Sequence, residues 1–350
     1  MVFGGPQVFA PGGARGGGGK ALQRVAFGEC LLERVLGGSC AAGEAVVALR
    51  YDELRLELRR PGSDLEGVSE RGALVPLAHK TPACPARDFE LAHAAQAAAL
   101  SRAATSREPL LRPVGDRVLR VGVAVLVESG DGRLLLTRRQ PRLRSFPGLF
   151  VLPGGHLEAG ETLVQAGIRE LLEETGLRLV DEAAEEQQIR SHKARMRLHC
   201  LWESTFPLSF EPARPGRDEG LTHHHLVVYL HAHAPTLLSS DASALRPQAS
   251  EVSELAWVSK LQARRIGFGP GPDSALPAEE RRVPRFLVPA DAFDADDWER
   301  QVAVLHEPAG AAALDVEELA GKTVIGTRFA LRTLLNRAGA GVAGAGASRV

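Results

Sequence analysis

The chain has 350 residues, enough for two units or for one with long appendages, since single cores stop growing near roughly 250 to 300 residues. Forty-two Lys and Arg against forty-three Asp and Glu leave a formal charge of -1, which excludes a global pull toward nucleic acid or acidic membrane and makes any phosphate recognition local. No run approaches the ~18 apolar residues of a spanning helix, and Cys30, Cys40, Cys84 and Cys200 include no CxxC pair, so neither a membrane protein nor a zinc ribbon or disulfide scaffold is expected.

Residues 1–20 are Gly-rich and are expected to be disordered, because they bury too little surface to offset ordering entropy. They lack the layout of a secretory leader, since Arg15 and Lys20 follow the mildly apolar residues. Residues 21–115 read as an N-terminal α+β extension of unknown function. It holds the apolar run from Ala45 to Leu49, the alternation Leu54, Leu56, Leu58, and an Ala-rich helix candidate from Phe89 to Ala104.

From 117 to 260 the pattern is that of one domain. Val121 to Val127 predicts a buried strand, Gly130-Asp131-Gly132 a hairpin turn, and Leu134 to Thr137 the returning strand. Phe150-Val151-Leu152 leads through Pro153-Gly154-Gly155 to a helix over Thr162–Thr175, capped by Thr162 and Gln165 and stopped by Gly176. Further strands are expected at 198–203, 226–230 and 254–258. His223-His224-His225 sits at a strand position, where alternation lets at most two of the three meet one ion, so a strand role is expected. Residues 261–337 form a C-terminal extension with a Gly/Pro-rich stretch from Gly267 to Pro277 and a helix candidate over 327–336, and 338–350 read as a disordered tail. The tail ends in Ser348-Arg349-Val350, which has Val where the peroxisomal S-K-L address has Leu, so a cytoplasmic location is expected and a peroxisomal one is the lesser alternative.

The helix over 162–175 carries the chemistry. At about 100° per residue, Glu173 and Glu174 fall roughly 60° and 40° either side of Glu170, so three carboxylates share one stripe. The wheel assigns Val164, Ile168, Leu171 and Leu172 to the sheet-facing side, with Ala166 and Gly167 leaving the acidic side uncrowded. Clustered carboxylates on a rigid element suit Mg²⁺ or Mn²⁺, and Arg169 stands four residues before Glu173, placed to orient it. Three Glu alone would more often be a solvated face with a Glu174–Arg178 pair.

The full spacing changes that weighing. Gly155, Glu161, Arg169-Glu170-Leu171, Glu173-Glu174 and Gly176-Leu177 stand at the positions of the Nudix box, and the sequence resembles the Nudix hydrolase family. Leu134 to Arg139 looks like the strand before the box, and Leu152 to Gly155 like the loop leading into it. The resemblance implies an α/β/α sandwich around a mixed sheet and hydrolysis of a nucleoside diphosphate linked to a further moiety. It implies Glu170, Glu173 and Glu174 as metal ligands with the Gly155 carbonyl, and Glu161 and Arg169 as organisers of the loop and helix. The general base is a box Glu or a later Glu, with Glu251 the candidate and Glu254 its competitor.

Within the family, the segments Leu201 to Pro207, His224 to Leu230, Glu251-Val252-Ser253 and Gly326 to Leu331 resemble a branch linked to methylguanosine-capped RNA. NAD(H) ranks second because the four-Cys ribbon of that branch is missing, and coenzyme A third. A cap-hydrolysing enzyme should stack its base on an aromatic ring, for which Trp202, Phe206 and Phe146 are the candidates. Arg138 and Arg139 are the candidate phosphate contacts, with Arg142, Arg144, Arg190, Lys193, Arg195 and Arg197 the remaining local positive charges. The competing classes are a nucleotide or RNA sensor that binds without hydrolysis, and a scaffold whose N-terminal unit binds a partner.

Overall fold

The computed structural model describes residues 7–11, 22–24, 30–36, 43–51, 55–60, 72–79, 119–181, 192–206, 223–241, 244–270, 276–288 and 313–344. The expected helix over Phe89–Ala104, Leu54, Arg190 and part of the stretch from Gly267 to Pro277 lie outside them. Among the described residues no helix is long and apolar enough to cross a membrane. The chain divides into two compact units, one of residues 1–122, 156–162 and 200–228, the other of residues 123–155, 163–199 and 229–350. This differs from the partition expected at 115–117 and 260–261.

In the first unit, β1 (Gln7–Pro11) pairs antiparallel with β2 (Leu22–Arg24) and parallel with β4 (Arg55–Arg59). A strand here corrects the expectation of disorder across residues 1–20. Val8 and Ala10 alternate inward at 2% and 0% exposure, an apolar period of two that the surrounding glycines mask. α1 (Leu31–Leu36) is followed by β3 (Gly43–Tyr51), which pairs antiparallel with β4 and with β5 (Gly72–His79). The inward residues Leu56 and Leu58 are fully buried, as the alternation predicts. β5 pairs in parallel with β11 (His192–Phe206) at Leu77 and Leu201. Buried Glu203 accepts from the Leu31 amide at 3.0 Å and bonds His224 at 2.9 Å, so α1 is anchored by a carboxylate on β11.

The second unit holds a mixed sheet. β6 (Arg120–Ser129) turns at Gly132, φ +76°, into β7 (Leu134–Arg139), which pairs antiparallel with β8 (Phe150–Val151) and β13 (Val252–Val258). β9 (Gly154–His156) pairs with β6. α2 (Leu163–Thr175) ends at Gly176, φ +72°, before β10 (Leu179–Asp181), which runs parallel to β11. β12 (His223–Ala234) lies between β6 and β11. After β13 come α3 (Lys260–Phe268), a 3₁₀ turn at Ala278–Arg281, β14 (Arg282–Val283), β15 (Arg285–Leu287) paired with β13, and β16 (Leu314–Asp315) paired with β14. α4 (Val316–Gly321) and α5 (Ile325–Gly344) close the chain. The last helix passes the expected end at 336 and enters the stretch expected to be a disordered tail, where alanines sustain helix despite the glycines.

Helices cover both faces of this sheet. Gly167 of α2 packs against Leu230, Val125 and Met196, whereas Ala330 of α5 accepts a bond from His199 at 2.8 Å. Met196 and His199 are three residues apart on β11 and so point to opposite faces. The unit is therefore an α/β/α sandwich on a mixed sheet. Its core beneath α2 includes Val125, Val127, Leu135, Leu171, Leu255 and Trp257.

A polar knot sits on the α5 face. Glu128 bonds His231 at 2.8 Å and Lys260 at 2.7 Å, while Arg197 donates to Nδ1 of His231 at 3.2 Å. The His231 bond, aided by Lys260 and opposed by burial, holds Glu128 well below the ordinary 4.5, at about 2. A depressed acid adds stability that is present above its unfolded value and lost as pH falls toward its folded one. Glu128→Gln should therefore cost about 2 kcal/mol at neutral pH. Urea unfolding should show this difference shrinking from pH 4.5 toward 2.

Candidate active site

Helix α2 turns a different face to the sheet than the wheel suggests. Its buried residues are Leu163, Ala166, Gly167, Leu171, Glu174 and Thr175, while Leu172 is 37% exposed. Ala166 and Gly167 therefore make the close contact with the sheet and do not open a space beside the acids. The small residues let the helix approach, and that approach carries Glu174 inward until the residue is 3% exposed. The amide of Gly154 donates to Glu174 Oε2 at 3.1 Å, and Arg139 Nη1 stands 3.9 Å from Oε1. Burial pushes Glu174 up to about 8 against those two contacts, and the nearby charges of Glu170 and Glu251 add to the rise.

Glu170 lies on the neighbouring part of the stripe. Its carboxylate fills the space that a side chain at Gly155 would need, which is why residue 155 has none. Arg169 Nη1 donates to Glu170 at 2.9 Å and to the exposed Glu173 at 3.2 Å, a fork that serves one partner more than the sequence suggested. Burial raises Glu170, Arg169 opposes, and Glu173 and Glu251 contribute like charge.

The two later glutamates separate cleanly. Glu251 is near enough for its charge to act on both Glu170 and Glu174. Its loop docks on the end of α2, where the Gln248 amide donates to the Glu174 carbonyl at 3.3 Å and the Arg246 amide to the Thr175 carbonyl at 2.5 Å. Glu254 is 1% exposed and closed between Arg138 at 3.1 Å and Arg285 at 3.2 Å. Removing one partner from such a buried set is costly, so Glu254→Gln should lose about 3 kcal/mol in denaturant unfolding. Glu251→Gln should melt like the parent and slow turnover by about 10²-fold or more.

The remaining candidates divide in the same way. Arg139 reaches Glu174 while its Nε donates to the Ser145 carbonyl at 2.9 Å. Arg138 is spent on Glu254 and on the Gly148 carbonyl at 2.9 Å, so it serves the frame of the site. In the other unit, Glu161 accepts from the Glu158 amide at 3.1 Å and shapes the turn before α2. Trp202 is 6% exposed and packs as a core residue, leaving no open face for a base. Phe146 is 45% exposed and has φ +52°. The three histidines alternate as expected: His224 is buried on Glu203, whereas the rings of His223 and His225 stack at 5.8 Å on the other face.

The donor set fits a hard divalent cation. Three carboxylates repel one another around a glycine hinge, two of them with raised affinity for a proton, and a cation would relieve that repulsion. Among the described residues no three acidic, His or Cys side chains already stand as a ready set of ligands. Arg169 occupies Glu170 and Glu173, and its guanidinium would give way to the ion.

An α/β/α sandwich in which a Gly-Gly turn meets a helix lined with carboxylates places the chain in the class of folds that its relatives identify. A NUDIX domain description matches residues 118–278. A protein of Xenopus laevis named m7GpppN-mRNA hydrolase NUDT17 is 32% identical over 234 residues, 65% of this chain and 69% of that protein. The protein of that name in Danio rerio is 44% identical over 138 residues, 39% of this chain and 41% of its own length. An ADP-ribose pyrophosphatase of Methanocaldococcus jannaschii is 46% identical over 57 residues, 16% of this chain and 32% of that protein. The chain belongs to the Nudix family.

Proposed function

We propose that the protein hydrolyses the pyrophosphate linkage of a nucleoside diphosphate derivative with Mg²⁺ or Mn²⁺, and that its preferred substrate is methylguanosine-capped RNA. The observation that carries the reaction is the convergence of Glu170, Glu174 and Glu251 beside Gly154 and Gly155. The substrate reading is supported by the relatives named m7GpppN-mRNA hydrolase. A cytoplasmic site of action belongs to the same proposal.

Glu170, Glu173 and Glu174, with the carbonyl of Gly155, would hold the cation. The ion supplies charge neutralisation on the phosphate and a lowered pKa for water. Glu251 accepts the proton of the attacking water at a carboxylate oxygen. The new P–O bond forms as the bridging P–O bond breaks, and the proton passes on to the departing phosphate or to solvent. Arg139 presents its guanidinium to the substrate phosphates from its post beside Glu174. A near-neutral chain gives no pull along an RNA strand, so recognition concentrates on the cap end.

The test is a substrate panel of capped RNA, NADH and ADP-ribose, each with Mg²⁺ and with Mn²⁺. The highest kcat/KM should fall on capped RNA. A clear preference for either small molecule would overturn the substrate assignment and leave the reaction class standing.

A further inference from the structure

The loop that meets the carboxylates is held from a second side by residues beyond the span matched to the NUDIX domain. β8 is only two residues long, and β7 borders it on one edge. On its other edge lies the segment between α4 and α5. The Phe150 amide donates to the Lys322 carbonyl at 2.7 Å, the Val324 amide donates to the Phe150 carbonyl at 3.1 Å, and Thr323 bridges Phe150 in parallel. The Leu152 amide then donates to the hydroxyl of Thr327 at 3.3 Å. Phe150, Leu152, Thr323 and Thr327 are all buried, so none of these groups has water as a substitute partner.

We propose that the strap Lys322–Thr327 is a working part of the hydrolytic site, with Thr327 a positioning residue that acts through Leu152. Pro153 separates Leu152 from Gly154 and has a fixed φ, so a displaced Leu152 carries the following peptide with it. Gly154 supplies the amide that holds Glu174, and Gly155 supplies the gap that Glu170 fills. The strap itself is braced: Thr323 donates to the Leu319 carbonyl at 2.7 Å, and Arg328 donates to the carbonyls of Thr323 and Ala320. The inference rests on Glu170 and Glu174 being the site of hydrolysis.

The experiment uses the full chain as wild type, Thr327→Val, Thr327→Ser and Glu174→Gln. Three quantities are read: kcat and KM on the best diphosphate substrate, Mn²⁺ binding by electron paramagnetic resonance, and the melting temperature. Thr327→Val should lower kcat about tenfold, the scale of an outer group that orients a metal ligand. Mn²⁺ binding should weaken in parallel while KM stays within about twofold, and Thr327→Ser should restore both kcat and Mn²⁺ binding. A Thr327→Val protein that melts lower but keeps wild-type kcat and Mn²⁺ binding would overturn the inference and leave Thr327 a structural residue. If that variant does not fold, Thr327→Ala carries the same expectation with no demand for space. Equal turnover by wild type and Glu174→Gln would remove the site assignment and this inference together. An inactive Glu174→Gln beside a fully active Thr327→Val would remove this inference alone.

Discussion

Replacing Glu174 with Gln should abolish most turnover and, in metal-free protein, raise the melting temperature. Gln keeps the shape and an oxygen for the Gly154 amide but loses the charge, so the frame of the site survives while the cation loses a ligand. A loss of about 10²- to 10³-fold in kcat is the expected scale for removing a group that organises charge at the reacting centre. The stability gain follows from the raised acid. Between the ordinary 4.5 and about 8 the folded protein binds more protons at this position than the unfolded chain does, so stability falls as pH rises across that window. Gln does not titrate and escapes the penalty. Melting curves in chelator should therefore show a larger gain at pH 8 than at pH 5, and addition of Mn²⁺ should narrow it by stabilising only the wild type. A variant that is inactive and less stable at both pH values would mean that Glu174 is chiefly a structural residue.

The second large effect is expected at Gly155. An added methyl group there runs into the carboxylate of Glu170, the far end of a flexible side chain, so the backbone can stay in place while the ligand moves. Gly155→Ala should melt within a few degrees of wild type and turn over roughly 10²-fold more slowly, since small displacements of a catalytic group cost rates of that order. Gly154→Ala is the contrast. Its methyl would meet the backbone carbonyl of Val123, which cannot swing aside, so it should lose stability and activity together. Thermal denaturation beside steady-state kinetics on both variants separates the two cases, and equal loss of stability in both would contradict this account of the hinge.

The sequence made the strand-turn-strand start, the carboxylate helix and its terminating glycine legible, because each is local. Gly176 sits at φ +72° where a helix stop needs a left-handed residue, and the hairpin at Gly132 sits at +76°. Less legible was which arc of α2 faces the sheet. A wheel ranks arcs by hydropathy, and here the contact is made by Ala166 and Gly167, whose value lies in small size and whose approach buries Glu174. The pair Glu251 and Glu254 could not be separated from spacing alone, because what decides between them is distant in the chain. Arg138 and Arg285 enclose Glu254, and the loop from Arg246 to Glu251 is fixed by its bonds to the end of α2. Thr327 carried no local signal either, since its role depends on a hydrogen bond to an amide 175 positions earlier. The strand at Gln7–Pro11 was readable in the alternation of Val8 and Ala10 but was outweighed by the glycines around it.

The carboxylate cluster is expected to perform cation-dependent hydrolysis of a pyrophosphate linkage. The most direct test follows release of the methylguanosine nucleotide from capped RNA by the purified full chain, first in chelator and then as Mg²⁺ or Mn²⁺ is titrated back. No turnover in chelator and a saturable return with either ion are expected. Release that persists in chelator, or its absence from every phosphoanhydride tried at saturating metal, would contradict this expectation.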